Sequence, residues 1–188
     1  MNDDSRSYAV GAAAGVAAFV LGYVLVYALT ISTVQDSLLT GVIEAFGEEG
    51  AAWKVVGWVF FNAQFVTTTI TVDVPLLGGT DAVNFIGQSD GLSPILYVIP
   101  PALLTVAGLA VARLDGATET GRALRVGPSV ALGYLPLSLV GALLFAVSIG
   151  ESSGGSPTLL TAVVLAGVVY PVVFGAIGSL LGVALGES

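Results

Sequence analysis

Four long apolar stretches, almost free of charge, constrain this chain more than any other feature of its sequence. Only Arg113, near the end of the second stretch, carries a charge; the stretches are residues 8–31, 93–114, 126–149 and 159–185. At about 1.5 Å per residue, helices of these lengths match or exceed the roughly 30 Å hydrocarbon core of a bilayer. A soluble helix needs polar residues on its outer face. The stretches therefore predict four transmembrane helices.

The remaining composition excludes several classes of function. The sequence contains no Cys and no His, which removes thiolate chemistry, the commonest metal ligands and the commonest general base. Neither a zinc-protease motif nor a pair of intramembrane aspartates is present. We therefore expect no enzyme activity, catalytic residue, cofactor or metal site. The net charge of −8 leaves no basic face, so nucleic acid is not an expected partner.

Residues 32–92 separate the first two stretches and predict an extracytoplasmic cap. Val34–Phe46 has apolar residues at helical spacing, which predicts an amphipathic helix at the membrane surface. Trp53–Ile70 is ambiguous, because it is apolar overall but carries Asn62 and Gln64 at its centre. Its threonine-rich end favours extended structure. We interpret the cap as a helical hairpin followed by a loop.

Basic residues leave two topologies open, since short cytoplasmic loops carry excess Lys and Arg. In a model with four spans and a cytoplasmic N-terminus, Arg6 and the loop arginines lie in the cytoplasm. In a model with five spans and an external N-terminus, Lys54 and the loop arginines lie in the cytoplasm. Both models make Arg113, Arg122 and Arg125 cytoplasmic topology determinants. The polar centre of Trp53–Ile70 favours four spans, with five as the alternative.

The predicted fold class is all-α: one integral membrane domain over residues 1–188, a polytopic helix bundle with the amphipathic helical cap between its first and second spans. The three later stretches contain prolines, which predict kinks that neighbouring helices accommodate in a membrane. The predicted location is the cell membrane, as a multi-pass protein. An excess of 13 acidic over 5 basic residues, with a single Lys, favours a halophilic source.

Three segments carry a resemblance: AWKVVGWVFFNAQFV (Ala52 to Val66), VNFIG (Val83 to Gly87) and LYVIPPALLTVAGLAVARL (Leu96 to Leu114). They resemble segments of small multi-pass membrane proteins of haloarchaea, a family without an assigned activity. The resemblance covers most of the chain and implies a membrane-embedded, archaeal protein. It also implies a His near the position of Gln64 in relatives. This chain has no His, so a role tied to that residue does not carry over.

Small residues at four-residue spacing form candidate helix-packing motifs, because they let helix backbones approach closely. They are Gly11 and Gly15 in the first stretch and Gly178, Gly182 and Gly186 in the last. These motifs serve either packing between the chain's own helices, which the abundance of glycine favours, or a face for an oligomer.

Two sets of polar residues are candidates for binding. Asn62 and Gln64 could bind a small solute, or could instead make contacts between the cap and the spans. Asp73, Asp81 and Asp90, with Asn84, could form an oxygen-rich cation site, but they lack EF-hand spacing and are predicted to be a solvated loop. Glu44, Glu48 and Glu49 are interpreted in the same way.

The sequence thus favours a non-catalytic membrane protein: a scaffold, an accessory subunit or a small oligomer. The alternative is a passive channel or facilitator for a small neutral solute. The expected partners are membrane lipid and either a second copy or another membrane protein.

Overall fold

The computed structural model describes residues 3–47, 49–73, 78–87, 91–150 and 152–186, and helices make up most of them. The α-helices are α1 (Asp3–Gln35), α2 (Leu38–Phe46), α3 (Ala52–Asn62), α4 (Ile99–Asp115), α5 (Thr120–Val126), α6 (Ala131–Leu144), α7 (Leu159–Thr161) and α8 (Tyr170–Ala184). Two 3₁₀ turns, Pro94–Val98 and Gly127–Val130, precede α4 and α6, and a π-helical stretch, Ala162–Val169, joins α7 to α8.

Within the described residues, four helical runs are long and apolar enough to cross a membrane, as the sequence predicted. We call them the first to fourth long helices; they are Asp4–Gln35, Pro94–Asp115, Thr120–Leu144 and Leu159–Ala184. The third long helix differs from the predicted stretch of residues 126–149. It begins earlier, because the charged segment around Arg122 is helical, and ends earlier, because the chain leaves the helix at Phe145 and continues as a strand.

Most prolines of the later long helices lie where the helix changes type, whereas Pro136 lies inside α6. Pro100 and Pro101 lie in the first turn of α4, directly after a 3₁₀ turn, and Pro128 lies inside the second 3₁₀ turn. Pro171 follows the π-helical stretch. Proline has no N–H, and its ring crowds the carbonyl of the preceding turn, so a wider or tighter local winding accommodates it.

A four-stranded antiparallel sheet corrects the all-α prediction. Its strands are β1 (Thr68–Val72), β2 (Gly79–Val83), β3 (Val147–Ile149) and β4 (Ser153–Pro157), in the order β2-β1-β4-β3. Thr68 lies opposite Val83 on one side and Pro157 on the other. The threonine-rich segment is therefore extended, as predicted, but its partner β4 comes from the loop between the last two long helices. The sequence had predicted only a helical hairpin and a loop here.

The amphipathic helix is shorter than the predicted Val34–Phe46. The first long helix continues to Gln35, so Val34 belongs to it, and α2 starts at Leu38. Ser37 separates the two helices: its hydroxyl donates to the Val34 carbonyl (2.8 Å) and accepts the Thr40 N–H (3.2 Å). This is N-cap geometry, which satisfies an otherwise unpaired N–H at the start of a helix.

The ambiguous segment contains a short buried helix that is not long enough to cross a membrane. Helix α3 has 11 residues, a length of about 16 Å, which is half the hydrocarbon thickness. It starts beside the end of α6, where the Trp53 ring meets that of Phe145 edge-on at 5.8 Å, and further along the Trp58 indole N–H donates to the Phe145 carbonyl (2.7 Å). It ends beside the middle of the third long helix, at Tyr134. The chain then turns and leaves as β1.

Aromatic rings form the core between α3 and the long helices. Phe19 of α1 meets Phe60 and Tyr134 edge-on, with ring centroids 5.1 Å apart in each pair. Tyr23 stacks on Phe145 at 5.3 Å. Such pairs add to the stabilisation from burial alone, so α3 is an integral part of the bundle rather than a loosely attached segment.

Candidate functional site: the buried turn after α3

The site is built on the turn that reverses the chain between α3 and β1. Backbone hydrogen bonds close it: the Phe65 N–H donates to the Asn62 carbonyl (2.9 Å) and the Val66 N–H to the Phe61 carbonyl (3.1 Å). Phe65 adopts a positive φ of 58°, a left-handed conformation that costs a non-glycine residue about 1–2 kcal/mol. Its ring stacks on Tyr97 at 4.7 Å, which helps to hold this conformation.

Asn62 ties the end of α3 to two other segments. Its side chain is fully buried and donates from Nδ2 to the Val66 carbonyl (2.8 Å) and the Thr68 hydroxyl (3.2 Å). Its Oδ1 accepts the N–H of Phe85 (2.8 Å). Both N–H donors and the carbonyl oxygen are thus in use, and they join the turn, the start of β1 and the segment after β2.

Asn84 extends this network toward the second long helix. Its Nδ2 donates to the Asn62 carbonyl (3.3 Å), and its Oδ1 accepts the Ile86 N–H (3.0 Å). The hydroxyl of Tyr97 lies 3.2 Å from that Oδ1 and 3.1 Å from the Ile86 carbonyl. Asn84 is therefore part of the same network as Asn62, rather than a loop ligand.

Gln64 connects the turn to the third long helix. Its Nε2 donates to the Phe60 carbonyl (3.2 Å), and its Oε1 accepts the hydroxyl proton of Tyr134 (2.8 Å). Gln64 and Tyr134 are both buried. Sequence reasoning selected Gln64 but missed Tyr134. The available signal was that a buried tyrosine hydroxyl usually needs a hydrogen-bond partner.

The network consists of neutral groups. No buried side-chain nitrogen or oxygen lacks a hydrogen-bond partner in the part of the chain that the structure describes. An unpaired polar group in a low-dielectric interior is costly, so these bonds fix the position of the turn. The arrangement is suited to holding three chain segments together, and the Asn62 amide has no N–H left for a bound solute.

Four of the five predicted packing glycines lie where two backbones cross. A Cβ on Gly11 or Gly15 would overlap the third long helix, at Ser129 and at the Val130 carbonyl. A Cβ on Gly178 would overlap the Thr105 carbonyl of α4, and one on Gly182 would come within 3.1 Å of the Ala112 methyl. These four glycines face other helices of the same chain.

Gly186 differs from the other packing candidates. The atoms nearest to a Cβ there are the carbonyl oxygens of Gly182 and Val183, both 3.4 Å away in its own helix end. It therefore takes no part in these crossings.

The predicted topology arginines lie at the end of the bundle that holds the N-terminus. Arg122 donates from Nε and Nη2 to the Asp115 carboxylate, both at 2.8 Å, and from Nη1 to Asp4 at 2.6 Å. It thereby joins α1, α4 and α5. Arg113 and Arg125 are exposed at the same end.

The structure does not gather the candidate cation ligands into a site. Asp73 and Asp81 are exposed, and Asp90 and Glu48 lie outside the described residues. Glu44 and Glu49 are exposed as well. Within the described residues, no group of three or more acidic side chains could hold a metal ion.

Comparison with known proteins assigns the chain to a family. The model of a family of unknown function, DUF7978, matches residues 1–186. Searches of the curated proteins and of the solved structures found no match.

Proposed function

The chain belongs to the DUF7978 family of unknown function, and from its geometry we propose that it is a non-catalytic, multi-pass protein of the cell membrane. In this proposal it acts as a scaffold, an accessory subunit or a small oligomer. The observation that carries the proposal is the neutral network around Asn62 and Gln64, which joins the turn after α3 to β1, to the segment after β2 and to the third long helix.

Exposed apolar side chains on the long helices support insertion in a membrane. Leu160 is 73% exposed, Val106 62% and Leu29 61%, and each lies on a different long helix. Exposed apolar area costs about 25 cal/mol per Å² in water, so a surface with many such residues needs lipid around it.

The proposed orientation places the arginine-bearing end in the cytoplasm. Arg6, Arg113, Arg122 and Arg125 are at that end, in accord with the excess of basic residues in cytoplasmic loops. The sheet, α2 and the start of α3 are at the opposite end and form the external cap. With α3 entering only half-way, four spans leave both termini in the cytoplasm.

The cap also supports the proposal of a haloarchaeal source. Residues 32–92 contain seven acidic residues and one base, Lys54. A strongly acidic outer surface is highly hydrated, and salt screens the repulsion between its charges. The test is thermal unfolding in increasing KCl, which should raise the melting temperature up to molar salt.

The channel alternative has weaker support. A facilitator for a neutral solute needs polar groups free to replace the hydration of that solute. The Gln64 amide instead bonds Phe60 and Tyr134, at a point where α3 is packed by aromatic rings. A solute would have to compete for bonds that the fold already uses.

One experiment separates the two roles. The full chain is purified in mild detergent, cross-linked, and in parallel reconstituted into liposomes for glycerol and urea flux. The structural role predicts a complex of fixed stoichiometry and a flux equal to that of protein-free liposomes. Flux that Gln64→Leu abolishes, while the variant remains folded, would instead establish the facilitator and contradict this proposal.

A further inference from the structure

A polar cavity and an apolar groove follow one another along the seam between α1 and α4. The cavity, of about 190 Å³, lies at the arginine-bearing end and is lined by Arg6 and Ser7 of α1, Asp115 of α4, and Arg122. The groove, of about 210 Å³, is lined only by apolar side chains of the described residues, among them Ala14, Ala17, Leu21, Leu103, Ala107 and Ala110.

The two spaces share one face of each helix. Five of the lining residues on α1 recur every three or four residues and so form one stripe, Ser7, Val10, Ala14, Ala17 and Leu21, and Arg6 and Ala18 lie next to it. The distance from Ser7 to Leu21 along the helix is about 21 Å. One bilayer leaflet contributes roughly half of a 30 Å hydrocarbon core, so the stripe is long enough for a hydrocarbon chain of one leaflet.

The cavity is chemically suited to a phosphate. Its ionisable lining residues are two arginines and one aspartate, and a second aspartate, Asp4, pairs with Arg122, so that Arg6 is the one of these cations left to meet an anion. Arg122 is committed to Asp115 and Asp4, whereas Arg6 is exposed and, among the described residues, has no hydrogen-bond or ion-pair partner. A guanidinium presents several donors in a plane that matches phosphate oxygens.

We propose that this seam binds one anionic phospholipid of the cytoplasmic leaflet. The phosphate lies against Arg6 in the polar cavity, with the Ser7 side chain beside it, and one hydrocarbon chain follows the groove between α1 and α4. This inference depends on the proposed insertion of the chain in a membrane.

The headgroup is tested by native mass spectrometry of the full chain in mild detergent, titrated with phosphatidylglycerol or phosphatidylcholine. We expect one tightly held phosphatidylglycerol and weaker phosphatidylcholine binding. Arg6→Gln should weaken phosphatidylglycerol binding about fivefold, the order expected for one arginine at an anionic membrane surface. The control Arg113→Gln removes an exposed charge outside the cavity and should leave binding unchanged.

The groove is tested by Ala17→Trp, which places an indole in the path of the hydrocarbon chain. The control is Ala13→Trp, an exposed position on the same helix outside the groove. Only Ala17→Trp should lose the bound lipid, while the far-UV circular dichroism of both variants stays that of the wild type.

Three results would overturn the lipid site: equal binding of both lipids, no effect of either test variant, or displacement of the lipid by an equal concentration of inorganic phosphate, which would indicate a free-anion site. Each can occur in a chain that still inserts in a bilayer. Failure of the lipid site is therefore distinguishable from failure of the proposed membrane role.

Discussion

The hydrogen bond between Tyr134 and Gln64 gives the sharpest prediction, because both partners are buried and each can be replaced by an apolar residue of similar shape. Gln64→Leu leaves the Tyr134 hydroxyl without its acceptor and removes the bond to the Phe60 carbonyl. Tyr134→Phe leaves only the Gln64 Oε1 without a partner. The double variant removes the hydroxyl and the amide together.

The expected loss of stability follows from the number of hydrogen-bonding groups that each variant leaves unpaired. A buried group left without a hydrogen bond costs about 1–3 kcal/mol, so Gln64→Leu should cost about 2–4 kcal/mol and Tyr134→Phe about 1–2 kcal/mol in the wild type. In the Gln64→Leu background the hydroxyl is already unpaired, and removing it should cost nothing or restore roughly 1 kcal/mol. The coupling energy is then about 1–3 kcal/mol, well above the roughly 0.5 kcal/mol expected for independent sites.

The assay is unfolding of the four proteins in mixed micelles, followed by far-UV circular dichroism, with the free energies combined as a double-mutant cycle. Tyr27→Phe is the matched control. Tyr27 lies on the same core side of α1 as Tyr23 but is partly exposed, so its removal should not couple to Gln64. Additive effects of Gln64→Leu and Tyr134→Phe would refute the claim that this bond fixes α3 to the third long helix.

Two further predictions concern packing and charge. Gly178→Ala should lower stability by about 3 kcal/mol, or roughly 6–12 °C in melting temperature, because its methyl would meet the Thr105 carbonyl. The control Gly121→Ala has open space around its Cβ and should leave stability unchanged or raise it by up to about 1 kcal/mol, so equal melting temperatures of the two variants would contradict the assigned helix crossing. Arg122→Gln should lower the melting temperature, because it leaves the Asp115 carboxylate without its bidentate partner, and the decrease should persist at high salt. An unchanged melting temperature would show that the pair is structurally unimportant.

The four long apolar helices were predictable because hydrocarbon imposes a simple rule on the sequence of a helix that can cross it. A helix such as Leu159–Ala184 can be identified from about 20 consecutive apolar residues, without knowledge of the segments that it packs against. The end of the third long helix was harder to place, because Val147–Ile149 is as apolar as the helix before it. Only its pairing with β4 makes it a strand.

The sheet could not be predicted because its strands pair across the chain. Strand β4 reads Ser-Gly-Gly-Ser-Pro, a composition typical of a turn. Its glycines have a tertiary cause: a Cβ on Gly155 would come within 2.6 Å of the Trp58 ring, which packs on the sheet. Such a requirement is visible only once α3 is placed against β4.

The candidate polar site was predictable only in part. Asn62 and Gln64 stand out because amides are rare in apolar segments, but their partners are distant in sequence. Tyr134 lies 70 residues from Gln64, in a stretch whose uncharged composition indicates only membrane insertion. Sequence could therefore identify groups that need hydrogen bonds, while the fold determined where the bonds are made.

Accessibility of single cysteines tests the central claim, a four-span chain whose external cap includes the half-inserted α3. The chain has no native cysteine, and Gly41, Gly79 and Gly121 each have open space for a Cβ. A membrane-impermeant maleimide applied to intact cells should label Gly41→Cys and Gly79→Cys but not Gly121→Cys until the cells are lysed. Protection of Gly41→Cys with labelling of Gly79→Cys would place a complete span between them and contradict the account.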